Sequence, residues 1–581
     1  MGRRTLSARS SVTSSMEIFS MSRTLSNLRL LGASAALAAG FAMQPVAAQT
    51  VSDTGTGSAV VIPYYTVKGG WETLVNVTNT TPNSLAVKVR LHDHRNSRDV
   101  LDFNLALSPF DVWTATIRQD ASGRAFLRTT DRSCTSPTSV ATDGLAANEI
   151  AYSTVGNVTF RDHDGTANSI ERLQEGYITL LVMGEDDRAV SGAGVTELNS
   201  SGAAGATRGT TAYYAKHVNG VPRNCVQVDA DFQRQAGIPQ FTANDAINGV
   251  TIPGEQGSGN PTARGGYILT AALGGVAAGN PNPFGYGPVI TGDALKVNAS
   301  LINPANGLGA GVESLHIEDY SVGVNNVTAQ QFPYFLEPTL ASGDGLWTTT
   351  NLAALEAGIA ATSVANEWTE NRSEPGVNAD AEWVVTFPTK RYHVDEDSRN
   401  IQAACSQYRH STSGAGVASG GGGPAYAGFA AIAAVPATPT QLLAPVVCPL
   451  APFTERFQAG NNGVSNIELT YTFYDREERE AVQTPDTTVP SPFPPGIVTP
   501  DNLSFEANVV KIGPNARTRA SVLGTANALG LPTTGLPGAE TGWLRINFAA
   551  AYPTAGFILK VRDFGDPTIN FAQATEHAYT R

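Results

Sequence analysis

Charged residues are scarce in this chain, and the basic ones form no run. Asp, Glu, Lys and Arg make up 15% of the 581 residues, and the formal net charge is −13. An acidic chain without a basic patch lacks the electrostatic means to hold nucleic acid or an anionic membrane surface. The composition therefore predicts no nucleic-acid partner.

Familiar catalytic signatures are also missing. The sequence contains no G-x-S-x-G elbow, no H-E-x-x-H zinc motif and no Gly-Lys dipeptide of a phosphate-binding loop. Members of a catalytic triad or a glycosidase carboxylate pair can lie far apart in a chain, so an enzyme stays an open alternative. The missing motifs favour a non-enzymatic protein without an organic cofactor.

Long apolar runs are absent from the N-terminal region, where the run at 30–42 is shorter than the roughly 20 residues that span a bilayer. Arg23 and Arg29 precede this run, and the small residues 46–48 follow it. That order predicts a leader and secretory signal peptide over residues 1–48, with cleavage after Ala48. We expect an exported protein in the periplasm, on the outer surface or outside the cell, with no transmembrane span after the leader. Beyond residue 48 there are 33 Lys and Arg against 50 Asp and Glu, a net charge of −17.

Only four cysteines occur, and they allow three pairings. We predict disulfides between Cys134 and Cys225 and between Cys405 and Cys448, because each would close a loop-rich excursion within one half of an exported chain. A cysteine metal site is the rival interpretation. It is disfavoured because the sequence has no C-x-x-C spacing and no nearby pair of histidines.

Glycine and proline, by contrast, are plentiful, with 58 and 34 residues, which is typical of many short strands joined by long loops. The clearest pattern is at 72–117, where apolar and polar residues alternate as they do on half-buried strands. Short links at 94–97 and 108–111 join these strands, which predicts an antiparallel meander with one apolar face. Similar patterns predict further strands at 57–67, 150–160, 176–183, 266–273, 294–302, 382–387, 466–474, 504–512, 542–548 and 556–561.

The predicted fold is mostly β, with antiparallel β-sandwich-like domains, long Gly-rich loop insertions and little helix. We divide the chain into a domain at 49–340 and a second β-rich domain at 341–581. The predicted loops are an insertion at 190–261, a Gly/Ala loop at 411–436 and a Pro-rich loop at 489–500. One helix is predicted, at 352–368. In the first strand, 57–67, Pro63 predicts an edge position or a bulge.

Few residues suggest a binding site. Asp162 and Asp164, beside Gly165, resemble a flexible oxygen-rich loop and are the candidate ligands for Ca²⁺. A second acidic cluster at 395–397 has a spacing that gives weaker support for a Ca²⁺ site. His92 and His94 share a strand face, but Lys88 and Arg90 lie on the same face and favour a solvated surface over a metal site.

Aromatic residues offer a second candidate surface, because a row of rings can stack on sugars. The aromatic residues in question are Tyr64, Tyr65, Trp71, Trp113 and Trp383. On strands, such residues more often belong to the core or to cross-strand pairs. We therefore predict that they are buried.

Six stretches carry a resemblance to an uncharacterised family of exported, β-rich Gram-negative bacterial proteins, usually labelled hypothetical or cell-surface proteins. They are IPYYTV at 62–67, NSRDVLDFNLALSPFDVWTA at 96–115, EGYITLLVMG at 175–184, EWVVTFPTKR at 382–391, LTYTFYDREE at 469–478 and GWLRINF at 542–548. The resemblance implies an exported, surface-associated protein and assigns no catalytic residue.

The functional hypothesis is a non-enzymatic cell-surface or extracellular structural protein that self-associates through β-strand edges, with the strand at 57–67 as the first candidate edge. The alternative is a secreted glycan-binding protein or hydrolase that uses the long loops at 190–261 and 411–436. Carboxylates and aromatic rings converging on one cleft would favour the alternative.

Overall fold

The computed structural model describes residues 49–146, 170–186, 195–198, 204–208, 211–234, 246–247, 250–251, 286, 289–320, 322–323, 327, 339–341, 349–373, 378–394, 450–456, 464–483 and 501–581. Residues 47–581 form one compact unit.

The first half of the chain is dominated by strands. Its elements are β1 Thr50–Val51, β2 Ala59–Thr66, β3 Glu72–Asn79, β4 Ser84–Asp93, β5 Asp99–Leu107, β6 Val112–Gln119, β7 Ala125–Arg128, β8 Cys134–Ser136, α1 Ser139–Thr142, β9 Leu145–Ala146, β10 Glu175–Asp186, β11 Val195–Leu198, β12 Ala204–Arg208, α2 Thr211–Ala215, β13 His217–Val218, β14 Val221–Pro222, α3 Cys225–Arg234, β15 Ala246–Ile247, β16 Val250–Thr251, β17 Leu295–Asn303, β18 Leu308–Val312 and β19 Leu315–Glu318.

The second half continues the pattern. Its elements are α4 Thr349–Ile359, β20 Ala360–Asn371, β21 Asn378–Thr386, α5 Arg391–Val394, β22 Ile467–Asp475, β23 Glu480–Gln483, β24 Asn502–Leu503, β25 Ala507–Ile512, β26 Leu529–Leu531, β27 Thr541–Pro553, β28 Ala555–Asp563, β29 Phe571–Glu576 and β30 Ala578–Thr580. Single 3-10 turns lie at Lys68–Gly70, Ile170–Leu173 and Pro304–Asn306. The mostly-β, antiparallel fold class is confirmed.

Two sheets pack face to face in the first half. The first has the order β1-β19-β2-β10-β4-β5-β8, and the second has the order β18-β17-β3-β6-β7-β9. One hydrophobic cluster contains apolar side chains from both, including Val89 and Phe103 from the first sheet and Val75 and Trp113 from the second. This pairing explains the alternation in the sequence, because each strand turns one face to the shared core.

The meander predicted at 72–117 is correct for the antiparallel pair joined by the link at 94–97 and wrong for the remaining strands. β3 pairs with β6, whereas β4 pairs with β5, so the links at 80–83 and 108–111 both carry the chain from one sheet to the other. Facing sheets lie only about 10 Å apart, a distance that a four-residue link covers. Asn79 holds both crossings together, since its side-chain amide donates to the carbonyl oxygens of Asn83 at 2.7 Å and Ser108 at 2.8 Å.

The first predicted strand lies inside its sheet. β2 pairs with β19 on one side and with β10 on the other, and every residue of β2 is buried. Its register with β10 shifts between Ile62 and Tyr65, which places Pro63 in an irregularity of the ladder. Of the two positions that Pro63 predicted, the bulge is therefore correct and the edge is wrong.

In the second half, one sheet lies between two cores. This inner sheet contains β25, β21, β28 and β29. Val384 and Phe557, on one of its faces, belong to the same core as the first sandwich. Trp383 and Ile558, on its other face, pack against β20, β22 and β27. The two halves thus share a core, and a domain division near residue 340 stays a prediction.

The helix predicted at 352–368 is only half correct. Leu352, Leu355 and Ile359 recur at helical spacing and pack together in one cluster, so the helix α4 extends as far as Ile359. From Ala360 the chain becomes β20, which pairs with β27 along most of its length. Strand pairing overrides the helix-forming alanines of this segment.

The insertion predicted as a loop at 190–261 contains helical turns as well as short strands. Val228 and Phe232 on α3 pack against Ala86 and Ala106 of the first sheet. Too few residues repeat at helical spacing for the sequence to have indicated this helix. The predicted loops at 411–436 and 489–500 and the predicted strands at 150–160 and 266–273 lie outside the described residues.

Candidate functional site

The disulfide between Cys134 and Cys225 is present, with the two Cα atoms 5.0 Å apart. It joins β8 at the edge of the first sheet to the start of α3 and so confirms the first predicted pair. The second pair, Cys405 and Cys448, lies outside the described residues. The same holds for the Ca²⁺ candidates Asp162 and Asp164 and for the acidic cluster at 395–397.

The predicted solvated face of β4 is wrong, because Lys88 is fully buried and Arg90 and His92 are only 3% exposed. Arg90 lies opposite Asp102 of β5, and His92 Nε2 is 2.9 Å from the hydroxyl of Thr179 on β10. The burial arises because this face of the sheet is covered by further parts of the chain, an arrangement that a two-residue period cannot reveal. Over the described residues, no cluster of His, Cys, Asp and Glu is arranged to hold a metal ion.

The five aromatic residues considered as a sugar platform are in the core, as predicted. Tyr64, Tyr65, Trp71, Trp113 and Trp383 are each at most 1% exposed. In the part of the chain that the structure describes, no helix is sufficiently long and apolar to cross a membrane.

Buried charges instead gather where the first sandwich meets the second half of the chain. We call this cluster the polar junction. Every member is at most 8% exposed, and the members are Lys68, Asp93, His94, Arg172, Glu175, Lys390, Arg391 and Glu506. Buried ionic groups are costly unless they are paired and hydrogen-bonded, so the contacts of this cluster decide its role.

Glu175 is the centre of one part of the polar junction. Its carboxylate accepts hydrogen bonds from Lys68 Nζ at 2.7 Å, Tyr64 Oη at 2.7 Å and Thr525 Oγ1 at 2.8 Å. His94 Nε2 lies 3.7 Å from the same carboxylate and 3.2 Å from Asn527 Nδ2. Thr525 and Asn527 come from the second half of the chain, so Glu175 connects the two halves directly.

The protonation of this group follows from its neighbours. Burial by itself would raise the pKa of Glu175, but the charges of His94 and Lys68 and the hydrogen bonds from Lys68 and Tyr64 together lower it. Burial lowers the pKa of His94, and the nearby carboxylates of Glu175 and Asp93 oppose this shift.

Glu506 is the centre of the other part. It accepts a short hydrogen bond from Ser97 Oγ, which in turn accepts one from Tyr177 Oη at 2.7 Å. Burial raises the pKa of Glu506 to about 8 and lowers that of Lys390 to about 7. The Lys390 ammonium donates to three backbone carbonyls, those of Ser465, Ser504 and Phe505.

Backbone bonds complete the polar junction. The amide of Ala507 donates to the carbonyl of His94 at 2.9 Å, and Arg391 Nη1 donates to the carbonyl of Ser97 at 2.6 Å. Arg172 Nε donates to Asp93 at 2.7 Å, which orders the turn that receives these bonds. The polar junction is thus deeply buried and connects the two halves of the chain by hydrogen bonds.

A second region has the opposite character. β18 ends the second sheet and β29 ends the inner sheet, and among the described residues β18 forms ladder hydrogen bonds only to β17 and β29 only to β28. The two strands are neighbours, and Ala572 and Ala574 of β29 pack on the core that contains Leu308, Ala310 and Val312 of β18. We call these two strands the paired edges.

Apolar side chains are exposed beside the paired edges. Ile569 is 57% exposed, Phe571 is 48% exposed and Phe564 is 36% exposed, and the rings of Phe564 and Phe571 are in contact, with centroids 6.2 Å apart. Neither β18 nor β29 contains Lys, Arg or Pro, the residues that commonly protect an edge from pairing.

The turns before β18 and β29 hold the paired edges together. Asn570 Nδ2 donates to the carbonyl of Asn306 at 3.0 Å, and Asn570 Oδ1 accepts from the amide of Phe564 at 2.7 Å. Gly307 has a φ of 64° and approaches the carbonyl of Pro567 so closely that a Cβ would lie 1.7 Å from its oxygen. Only glycine fits there, so the two edges have a fixed relation.

The chain matches no protein-family model, no curated protein and no solved structure in comparisons with known proteins. The family resemblance seen in the sequence therefore stays a prediction, and any functional conclusion depends on the geometry of the polar junction and the paired edges.

Proposed function

We propose that this chain is a non-enzymatic, exported structural protein of the cell surface or extracellular space, and that it self-associates through the paired edges. The observation that carries the proposal is the pair of adjacent strands β18 and β29, each hydrogen-bonded to one described strand alone and flanked by exposed Ile569 and Phe571. Free backbone donors and acceptors on an edge recruit another strand, and exposed apolar side chains add buried area when it arrives.

The strand at 57–67 no longer supports this proposal, since β2 is a central strand. The paired edges replace it. A second copy is the partner we propose because one antiparallel contact between two β29 strands has twofold symmetry, so both copies satisfy the same edge at once. The glycan-binding or hydrolytic alternative through the loops at 190–261 and 411–436 stays a prediction.

The test is light scattering coupled to size exclusion on the chain from Gln49, over a range of concentrations and with and without Ca²⁺. Electron microscopy of the high-mass fractions then distinguishes closed dimers from filaments. We expect concentration-dependent association of the wild type. Phe571→Lys should be monomeric, because the ammonium would have to be buried in the contact.

The control is Phe110→Lys, which makes the same exchange at an exposed turn of the first sandwich, where Phe110 is 65% exposed. It should associate like the wild type. A wild type that stays monomeric at high concentration, or a Phe571→Lys variant that associates normally, would refute the proposal. A Ca²⁺ requirement would separately support the prediction for Asp162 and Asp164.

A further inference from the structure

The outer face of the second sheet carries a polar groove of about 500 Å³, a volume typical of ligand sites. Strands β3, β6 and β7 form its floor. The side chains that line it are those of Glu72, Leu74, Asn76, Thr114, Thr116, Arg118, Arg128, Thr129 and Thr130, with Ala115 beneath them. Hydroxyl, amide and guanidinium groups thus dominate the lining.

The two arginines of the groove are close together. Thr116 on β6 pairs with Arg128 on β7, and Arg118 lies two positions beyond Thr116, so both guanidinium groups rise from the same face. Diagonal neighbours of this kind lie about 7–8 Å apart at their origins. Both side chains are exposed, and neither forms a hydrogen bond or an ion pair with another described residue.

The two arginines place positive charge in one groove of a chain whose net charge is −13. Glu72 is the single acidic residue of the lining, so the groove is locally positive. A guanidinium group offers a planar fork of donors that matches a carboxylate. Next to the arginines, Thr114, Thr116 and Asn76 present donors and acceptors of the type that sugar hydroxyl groups need.

We infer that this groove binds a carboxylate-bearing oligosaccharide, such as a segment of a uronic acid polymer. The arginines bind the carboxylates, the threonine and asparagine side chains bind the hydroxyl groups, and the half-buried Leu74 contacts the apolar side of a ring. This inference goes beyond the proposed self-association and uses a different surface, the face of the sheet rather than its edge.

The test is isothermal titration calorimetry of the chain from Gln49 with oligogalacturonate, and with its methyl ester as the uncharged counterpart. We expect the acid to bind and the ester to bind at least tenfold more weakly, because the ester removes the charge that the arginines recognise. Binding of the acid should also weaken as salt is added.

Arg118→Gln and Arg128→Gln should each lower the affinity about tenfold, the usual effect of losing one charge-assisted hydrogen bond. Arg545→Gln is the matched control, because Arg545 is an exposed strand arginine on β27, in another sheet. Equal affinity for acid and ester, binding that survives both groove substitutions, or no binding at all would overturn the inference. A repeat with Phe571→Lys shows whether a failure comes from the groove or from association.

Discussion

The polar junction and the paired edges reverse the usual division of a protein into apolar inside and polar outside. In the polar junction, Lys68, Glu175 and Glu506 are withdrawn from water. At the paired edges, Ile569 and Phe571 remain in water, beside backbone groups without a strand partner. Both arrangements are unfavourable for an isolated chain unless something compensates.

The compensation differs between the two regions. In the polar junction it is internal, because Glu175 has three donors, two from the segment at 64–68 and one from Thr525 in the second half of the chain. At the paired edges the described residues leave Ile569 and Phe571 exposed, and under our proposal a second copy of the chain covers them. The contrast explains why we assign the buried charges to stability and the exposed apolar residues to function.

The strongest test of the internal role is Glu175→Ala. Removing this carboxylate leaves the Lys68 ammonium buried without its counter-charge, and we expect the free energy of unfolding to fall by about 3–5 kcal/mol. Urea denaturation measures the change. If the alanine variant does not fold, Glu175→Gln keeps the shape of the side chain and should cost less.

The matched control is Glu171→Ala, four residues earlier in the chain. The Glu171 side chain is 48% exposed and lies 3.9 Å from Arg95. A surface pair of this kind contributes about 0–1 kcal/mol. A similar loss of stability in both variants would show that Glu175 contributes no more to stability than a surface carboxylate does.

The second prediction concerns the pH dependence of Glu506. Its folded pKa of about 8 is above the ordinary value of 4.5, so the folded state holds the proton more tightly between these two pH values. The stability that this group contributes is therefore complete below pH 4.5 and is lost as the pH rises towards 8. Between pH 5 and pH 8 we expect a loss on the order of 3 kcal/mol.

Glu506→Gln cannot titrate and should lack that part of the slope, so its unfolding free energy, measured by urea at both pH values, isolates the carboxyl group. Lys390 has the opposite effect on stability above pH 7. Its pKa is lowered in the folded state, so the unfolded chain binds the proton more tightly and the free energy of unfolding rises with pH. Identical slopes for the variant and the wild type would contradict a buried, protonated Glu506.

Much of the fold could be predicted from the sequence because strand alternation is local. β10, β17, β21, β22, β25, β27 and β28 all fall on segments that were predicted as strands. Which strands share a sheet is not local. β3 pairs with β17, more than 200 residues later, and no feature of 72–117 indicates that partner. The meander was correct only for the local hairpin of β4 and β5 for this reason.

The polar junction was equally hidden. Thr525 and Glu175 are 350 residues apart, and Ser97 and Glu506 are 409 residues apart. Apolar and charged residues alternate along a strand in the same way whether the charged face is buried or exposed to water. For this reason the face that carries Lys88 and Arg90 was wrongly predicted to be solvated. The paired edges could not be predicted either. A strand lies at an edge when it has a pairing partner on one side only, and pairing partners are not visible in the local sequence.

The last prediction has the smallest expected effect on stability, and it tests directly whether the paired edges serve association or folding. Gln573→Lys on β29 combined with Gly311→Lys on β18 places the usual protective charge on each free edge. Gln573 is exposed, and a Cβ at Gly311 would have no atom within 4 Å, so the unfolding free energy should change by about 0.5 kcal/mol or less. Association should nevertheless be lost, as light scattering would show. An intact assembly would place the contact elsewhere, whereas a large loss of stability would mean that these strands serve the fold, as the polar junction does.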